Sequence, residues 1–218
     1  MINIICFGDS NTFGFNPKDG SRYDSDTRWA SLLGKILGKD FNVTEEGCND
    51  RTGFFLNQKG PFQSGGNYLP KCLEKHKNFD IFILALGTND LQKFYTLDET
   101  IAKNGLKTLI NVIRNSNPKT RIIIIPPIIL SEDILKGYFV CQFNENSIIA
   151  SHWIQEIYKT VSQEESCELL DLNKFVFPSV VDGLHFDANS HKTIAEKIAS
   201  KILKKNSKNI DIELAENY

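Results

Sequence analysis

Cysteine is scarce in this sequence, and its arrangement excludes two classes of small protein. Only five cysteines occur among 218 residues, and no two of them form a C-x-x-C pair. A disulfide framework needs an even set of cysteines, and a zinc knuckle needs paired ligands. We therefore expect neither, and the cysteine usage fits a reducing cytoplasm.

An excess of charge of one sign is also missing. Lysine plus arginine number 25 and aspartate plus glutamate 27, for a formal net charge of −2. Such a balance gives no electrostatic reason to bind nucleic acid or an anionic membrane. The sequence also has no basic leader, and its apolar run at residues 122–130 is short and contains Pro126-Pro127. We expect no nucleic-acid partner, no signal peptide and no membrane span.

What the sequence does have is an alternation of short apolar runs with longer amphipathic stretches. This alternation is typical of β-α-β units around a parallel sheet, and nearly unbroken apolar runs are typical of strands covered on both faces. The predicted strands cover residues 2–7, 41–44, 81–86, 121–125 and 168–172. We predict one α/β domain over residues 1–205 and a polar C-terminal tail over residues 206–218.

Helix starts and stops accompany these strands. The predicted starts are Thr27, Asp98, Asn146 or Ser147, and Asn189. Gly38 and Asn117 are expected to end the first two helices. Residues 47–66 are rich in glycine and predict a long loop of the kind that builds sites at the carboxyl ends of strands. In the tail, alternating apolar residues at 210, 212 and 214 make a short edge strand the alternative to a frayed end.

The first candidate functional segment, residues 7–14, directly follows the first strand. A serine after a small residue at a strand end, here Ser10, can be lifted out of the sheet by a tight turn. Taken alone, such a serine more often caps a helix. The spacing of Gly8 and Gly14 fits neither a dinucleotide fingerprint nor a phosphate loop.

Three further segments follow other strands. Asn89 can donate a side-chain N–H to an oxyanion, and Asp182 lies three residues before His185, so one turn can join carboxylate and imidazole. Backbone N–H groups in residues 45–53 can point at a shared anion. Each segment alone is compatible with an ordinary turn. Because all four follow parallel strands, they meet at one edge of the sheet and together supply nucleophile, base, orienting carboxylate and oxyanion donors.

These segments resemble the consensus blocks of the SGNH hydrolases, also called the GDSL esterase and lipase family, and most of all its arylesterase and acyltransferase branch. The resemblance spans residues 4 to about 203. It is carried by Gly8-Asp9-Ser10-x-Thr12-x-Gly14, Arg28-Trp29, Glu46-Gly47-x-x-x-Arg51-Thr52, Tyr68-Leu69-Pro70, Leu86-Gly87-Thr88-Asn89-Asp90, Pro126-Pro127 and Asp182-Gly183-x-His185-Phe186.

The resemblance implies both a fold and a site. The fold is a three-layer α/β/α sandwich with a five-stranded parallel sheet in the flavodoxin-like order 2-1-3-4-5. The implied nucleophile is Ser10, with His185 as general base and Asp182 as its partner. The implied oxyanion hole consists of the backbone N–H groups of Ser10 and Asp50 and the side chain of Asn89.

Asp50 departs from the family pattern, which usually has glycine and sometimes alanine there. The donor at this position is a backbone N–H, so the function survives if the carboxylate is turned away. Aspartate tolerates a left-handed backbone better than most residues. We expect a guanidinium of Arg51, Arg22 or Arg28 to hold the carboxylate outward.

The expected activity is hydrolysis of small carboxylic esters through an acyl-enzyme on Ser10, without a metal or organic cofactor. Phe13, Leu184 and Phe186 are predicted to line the substrate pocket, which should favour short acyl chains, in aryl or sugar acetates. Phe15, Trp29 and Phe94 also lie beside the motifs and are further candidates to crowd it. Transfer of the acyl group to another acceptor and assembly into a homo-oligomer are left open.

Two other functions are compatible with the same segments. One is phosphoester hydrolysis at a metal site, because oxygen and imidazole ligands at strand ends also form two-metal sites. Its ligands would be Asp9, Asn89, Asp182 and His185. The other is a catalytically silent binding module of the same fold. The remaining histidines, at 76, 152 and 191, show no ligand spacing among themselves and are expected on helix surfaces.

Overall fold

The computed structural model describes residues 1–57 and 59–215, with side chains described through residue 204. Its sheet has five strands in the order β2-β1-β3-β4-β5, and every neighbouring pair is parallel. The strands are β1 (Ile2–Gly8), β2 (Phe41–Gly47), β3 (Ile81–Ala85), β4 (Arg121–Ile124) and β5 (Glu168–Leu169). The predicted fold class and strand order are confirmed.

Burial explains why the central strands are so apolar. Ile4, Ile5 and Phe7 of β1 and Phe82 and Ile83 of β3 are at most 1% exposed. A parallel sheet needs crossover helices, and right-handed crossovers from this strand order place helices on both of its faces. Side chains from both faces of β1 and β3 are therefore covered, and the core surrounds these two strands.

Among the described residues, six α-helices surround the sheet. They are α1 (Ser10–Phe13), α2 (Trp29–Leu37), α3 (Gly65–Lys75), α4 (Glu99–Ser116), α5 (Glu145–Glu164) and α6 (Ala188–Ala215). One group packs α2 against α6, and the other packs α3 against α4 and α4 against α5. The three-layer arrangement predicted from the sequence follows from these two groups.

Three predicted starts and stops are confirmed, and three starts are wrong. The start predicted at Asn189 lies inside α6, which already begins at Ala188. Asp98 caps α4 by accepting from the backbone N–H of Ile101, α4 stops before Asn117, and Gly38 ends α2. At the start of α2, however, Thr27 remains in a turn with Asp24, and the helix begins after Arg28.

The start of α5 also differs from the prediction. Asn144 caps this helix instead of Asn146 or Ser147. Ser147 has a different part in the same structure, since its backbone N–H donates to the side chain of Asn144 and its hydroxyl accepts from the backbone N–H of Asn144. This reciprocal capping box places the helix start two to three residues earlier.

Helix α3 has no counterpart among the predictions. Gly65 and Gly66 begin it and Pro70 lies inside it, and both glycine and proline disfavour helix. The helix forms because Tyr68, Leu69, Cys72 and Leu73 bury one side of it in the core. Tertiary packing therefore outweighs local preference here.

The C-terminal helix is longer than the sequence pattern suggested. It runs to Ala215, so residues 210, 212 and 214 continue α6 and do not form an edge strand. Extending an existing helix costs less free energy than nucleating a new element, which favours continuation. The boundary at residue 205 between domain and tail falls inside α6 and stays a prediction, and residues 216–218 of the tail lie outside the described residues.

Strand β5 is shorter than predicted, and one histidine lies deeper. Asp171 accepts from the backbone N–H of Asn173 and starts a short 3₁₀ turn, which ends the strand early. His191 was expected on a helix surface, but it is 0% exposed because the α6 face that carries it packs on α2.

In the described part of the chain, no helix has the length and apolar character needed to span a membrane.

Candidate active site

The four candidate segments do meet at the carboxyl edge of the sheet. Ser10 follows β1, Asp50 follows β2 and Asn89 follows β3. His185 belongs to the loop between β5 and α6. All four residues line one cavity of about 210 Å³.

Ser10 is positioned by the turn that begins α1. Asp9 caps this short helix, since its carboxylate accepts from the backbone N–H of Asn11 at 2.9 Å. The capping role that Ser10 alone would have suggested therefore belongs to its neighbour. The Ser10 hydroxyl is free to face His185, with 2.8 Å between Oγ and Nε2.

Asp182 fixes the other side of the same imidazole. Its Oδ2 lies 2.7 Å from His185 Nδ1, and its Oδ1 accepts from the backbone N–H groups of Leu184 and His185. Gly183 permits this tight turn with a φ of 70°. Burial acts to raise the pKa of Asp182, but the hydrogen bonds from His185 and Leu184 prevail and lower the pKa below its usual value. Asp182 is thus a carboxylate that holds the imidazole ring in one orientation.

The amide of Asn89 is held in one orientation. Its Oδ1 accepts from Gln92 Nε2 at 3.0 Å, and its Nδ2 donates to the carbonyl of Arg51 at 3.1 Å. An amide nitrogen has two hydrogens, and no acceptor among the described residues takes the second. Because Asn89 lines the cavity, this hydrogen is available to a bound group.

Asp50 has the left-handed backbone expected of a residue at a glycine position, with a φ of 60°. Its carboxylate pairs with Lys59, whose Nζ lies 2.8 Å from Oδ2, and both residues line the cavity. The expectation of an arginine partner is therefore wrong. Arg22 and Arg28 are both paired with Glu45.

Arg51 is unavailable to Asp50 because it is buried beneath the site. Its guanidinium donates to the carbonyls of Gly8, Glu46 and Phe62 and lies over the ring of Phe7. Burial lowers the pKa of Arg51. Through these bonds, Arg51 ties the ends of β1 and β2 to the loop that carries Asp50, a role that sequence reasoning missed.

Asp90 is a second buried polar anchor that the sequence did not indicate. Its carboxylate accepts from the backbone N–H groups of Gly53, Phe54 and Phe55 at 2.6, 2.7 and 3.1 Å. Burial raises the pKa of Asp90 to about 6. Asp90 holds the loop after β2 against the turn that carries Asn89.

Only one of the three predicted pocket residues lines the cavity. Leu184 does, but Phe13 lies under the guanidinium of Arg22 and Phe186 packs edge-on against His191. Successive residues of a turn point in different directions, so proximity in sequence to Ser10 and His185 did not determine which ring faces the cavity.

Phe15, one of the further aromatic candidates, does reach the cavity, and the rest of its aromatic wall comes from Tyr138 and Phe139. Phe15 and Phe139 pack on the His185 ring at centroid distances of 4.2 and 5.2 Å, and Tyr138 lies beside them. The cavity also has polar lining residues. They are Asn49, Asp50, Lys59, Asn89 and Gln142.

The residues of the alternative metal site have other partners. Asp9 caps α1, Asp182 binds His185, and Asn89 is held by Gln92 and Arg51. Burial raises the pKa of Asp9. The arrangement offers a hydroxyl, an imidazole and a carboxylate in series, which is the geometry of an activated nucleophile.

Comparison with known proteins agrees with this geometry. Residues 6–192 match the model of the GDSL-like lipase/acylhydrolase family. No curated protein matches the sequence.

Several solved structures are similar over nearly the whole chain. One is 33% identical, covers 94% of this chain and 98% of its own, and has a TM-score of 0.87. An aryl esterase from M. smegmatis is 26% identical over 94% of this chain and 99% of its own, with a TM-score of 0.86. A carbohydrate acetylesterase family member from Sinorhizobium meliloti is 25% identical over 93% and 97%, with a TM-score of 0.84.

Proposed function

Because the chain belongs to the GDSL-like lipase/acylhydrolase family and is an esterase, we propose that it cleaves small carboxylic esters through an acyl-enzyme on Ser10. The supporting observation is the series Ser10 Oγ–His185 Nε2 at 2.8 Å and His185 Nδ1–Asp182 Oδ2 at 2.7 Å. His185 takes the hydroxyl proton as Ser10 attacks the ester carbonyl, then returns it to the leaving alcohol. In the second half of the cycle, His185 takes a proton from water as the water attacks the acyl carbonyl. The carboxylic acid leaves, and the proton returns to the Ser10 oxygen.

Three donors are assigned to the oxyanion that forms on the carbonyl oxygen. They are the backbone N–H groups of Ser10 and Asp50 and the second amide hydrogen of Asn89. Within the described chain, neither backbone N–H donates to a protein acceptor. Each donor of this kind typically contributes about 3 kcal/mol to transition-state stability.

The cavity supports a preference for short acyl groups. Its volume of about 210 Å³ is below the range of pockets that enclose drug-sized ligands. The aromatic wall at Phe15 and Phe139 suits an aryl ester, and the polar lining at Asn49 and Gln142 suits the hydroxyls of a sugar acetate. An acceptor alcohol bound in place of water would make the enzyme an acyltransferase.

The metal-dependent alternative and the silent binding module predict different behaviour. A metal enzyme loses activity with a chelator, and a binding module has none to lose. In the proposed enzyme, hydrolysis of p-nitrophenyl acetate resists chelation and stops when a serine-directed phosphonate modifies one residue. Mass mapping that places the phosphonate anywhere except Ser10 would contradict the mechanism.

Substitution of the proposed nucleophile and base provides a second test. Ser10→Ala and His185→Ala should each lower kcat by several orders of magnitude while the thermal unfolding transition is retained. The double variant should be little worse than either single variant, because both residues act in the same step. If the two losses multiply fully in the double variant, Ser10 and His185 do not act as one unit.

The free state of all five cysteines supports a reducing location, and we place the enzyme in the cytoplasm on that ground.

A further inference from the structure

A second cluster of chemically active side chains lies on α3, outside the cavity at Ser10. Tyr68 and Cys72 are four residues apart and share one face of the helix, and His76 caps its C-terminal end on the same side. This face is turned toward Glu46 at the end of β2. Tyr68 Oη donates to Glu46 Oε2 at 3.2 Å, and His76 Nε2 lies 2.7 Å from Glu46 Oε1.

The three potential ligand atoms of this cluster are already close together. The imidazole nitrogen, the Cys72 sulfur and a carboxylate oxygen of Glu46 all lie within 4.8 Å of one another. Zinc binds nitrogen and oxygen at about 2.0–2.2 Å and thiolate sulfur at about 2.3 Å. Small rotations of the side chains would bring all three atoms to these distances from one ion.

Burial and hydrogen bonding prepare the cluster for such an ion. Cys72 is 0% exposed and Glu46 8% exposed, whereas the His76 side chain is 21% exposed and leaves a path from solvent. The Tyr68 hydroxyl occupies Oε2 of Glu46, so that Oε1 is the oxygen directed at His76. Hydrogen bonds of this kind orient metal ligands in known sites.

We propose that Glu46, Cys72 and His76 bind one zinc-like divalent cation, with water in the fourth position on the solvent side. On binding, the Cys72 thiol releases its proton to solvent and becomes a thiolate ligand. One carboxylate, one thiolate and a neutral imidazole then balance the two positive charges of the ion. This site does not depend on the proposed esterase mechanism.

Two cations near the cluster compete with the ion, and only one of them can move. Arg51 is held by three backbone carbonyls and lies over the Tyr68 ring at 4.9 Å, so its charge is fixed. Lys75 Nζ lies 3.1 Å from Glu46 Oε1, and its side chain is 64% exposed. Lys75 can therefore swing into solvent, and its removal should strengthen metal binding.

Cobalt(II) is a suitable probe, because a Co²⁺–thiolate bond gives a charge-transfer band in the near ultraviolet. Titration of the full-length protein with CoCl₂ should produce this band at one equivalent, and Zn²⁺ should abolish it. Cys72→Ser should remove the band. His76→Gln, at a partly exposed position that the fold tolerates, should weaken Co²⁺ binding at least tenfold.

Matched controls separate this site from casual binding. Cys141→Ser removes the exposed thiol and His152→Gln an exposed imidazole, and both variants should bind Co²⁺ as the original protein does. Lys75→Ala should bind about tenfold more tightly, since a like charge is gone. No thiolate band in the original protein, a band that survives Cys72→Ser, or weaker binding in Lys75→Ala would each overturn the proposal.

Discussion

Asp50 combines a backbone N–H that faces the proposed oxyanion with a carboxylate of the same charge as that oxyanion. Lys59 holds the carboxylate at 2.8 Å, although both side chains are partly exposed. Such an exposed pair contributes little to stability. We infer that the pair matters for charge, because the Lys59 ammonium offsets the negative charge that Asp50 brings to the cavity.

This role of Lys59 can be tested with two single substitutions and their combination. Lys59→Met should lower kcat about tenfold, since the released carboxylate opposes charge on the oxyanion. Asp50→Gly should keep most of the activity, because the donor is in the backbone and a φ of 60° suits glycine. The double variant should recover the kcat of Asp50→Gly. Steady-state kinetics on short acyl esters measure all three, and a double variant as slow as Lys59→Met would rule out this role for Lys59.

Asn89 is the only side chain among the proposed oxyanion donors. Asn89→Ala should lower kcat about 100 to 1,000-fold with a smaller change in KM, because the hydrogen bond strengthens as charge develops. Asn89→Asp should be slower still, since a carboxylate replaces the donor. Near-normal turnover of the Asn89→Asp variant would show that Asn89 does not face the oxyanion.

At the scale of elements, the position of Ser10 depends on how closely β2 approaches α1. A Cβ atom on Gly47 would lie 2.2 Å from the backbone nitrogen of Phe13, which cannot move aside as a side chain does. Gly34, in the middle of α2, would place its Cβ 3.5 Å from Val43, at ordinary contact distance.

These two glycines give opposite predictions for the same substitution. Gly47→Ala should destabilise the protein by about 3 kcal/mol and displace α1, with loss of most activity. Gly34→Ala should stabilise it by about 0.5–1 kcal/mol, because alanine favours helix, and leave kcat unchanged. Urea unfolding and ester hydrolysis on both variants test this. Equal effects of the two substitutions would show that the approach of β2 to α1 is not limiting.

The elements were predictable where local pattern and packing agree. All five strands are apolar or alternating runs bounded by turn residues, and each was found near its observed position. Helix α3 was missed, because Gly65, Gly66 and Pro70 argue locally against helix while the core on one side stabilises it. Capping was misplaced by one to three residues at α2 and α5, where several adjacent polar residues could serve.

At the scale of the whole molecule, His191 joins α6 to α2. Its Nδ1 accepts from the backbone N–H of Trp29 at 3.2 Å. Burial lowers the pKa of His191 to about 4, an effect that nearby His185 strengthens and Asp187 opposes. Between pH about 4 and the unfolded pKa of about 6.5, the ring is therefore neutral in the folded protein but protonated in the unfolded chain.

This depressed pKa makes folding sensitive to acid. Below pH about 6.5 the unfolded chain binds a proton at His191 that the folded protein does not. The free energy of unfolding therefore falls as pH drops toward about 4, by up to about 3 kcal/mol. Asp90 acts in the opposite direction, because its folded pKa is raised to about 6. Its contribution to the free energy of unfolding is lost as pH rises through that value.

A difference measurement isolates the histidine. His191→Asn keeps an acceptor for Trp29 and removes the titration, so Asp90 contributes equally to both proteins. The free energy of unfolding of the original protein minus that of the variant should increase as pH rises from 4 to 6.5. Urea unfolding at several pH values checks this, and a flat difference would mean that His191 does not carry the acid sensitivity.

The candidate site was predictable in part for a reason of topology. Ser10, Asn89 and His185 follow strands or precede helices at one edge of the sheet, so a strand assignment alone brings them near one another. Phe139 comes from a short 3₁₀ turn and Lys59 from a loop, neither of which has a periodic sequence pattern, and only the folded chain shows that they reach the cavity. Arg51 was found in sequence but placed wrongly, because its burial depends on Phe7 and Tyr68 packing around it.

The distance along the chain between Ser10 and His185 also has a consequence in time. The two residues are 175 positions apart, and a ribosome adds about 5–20 residues per second. About 9 to 35 s therefore pass between synthesis of the proposed nucleophile and synthesis of the base proposed to activate it. Throughout that interval the growing chain carries an ordinary serine hydroxyl, and on the proposed mechanism it cannot attack esters around it before His185 has been made.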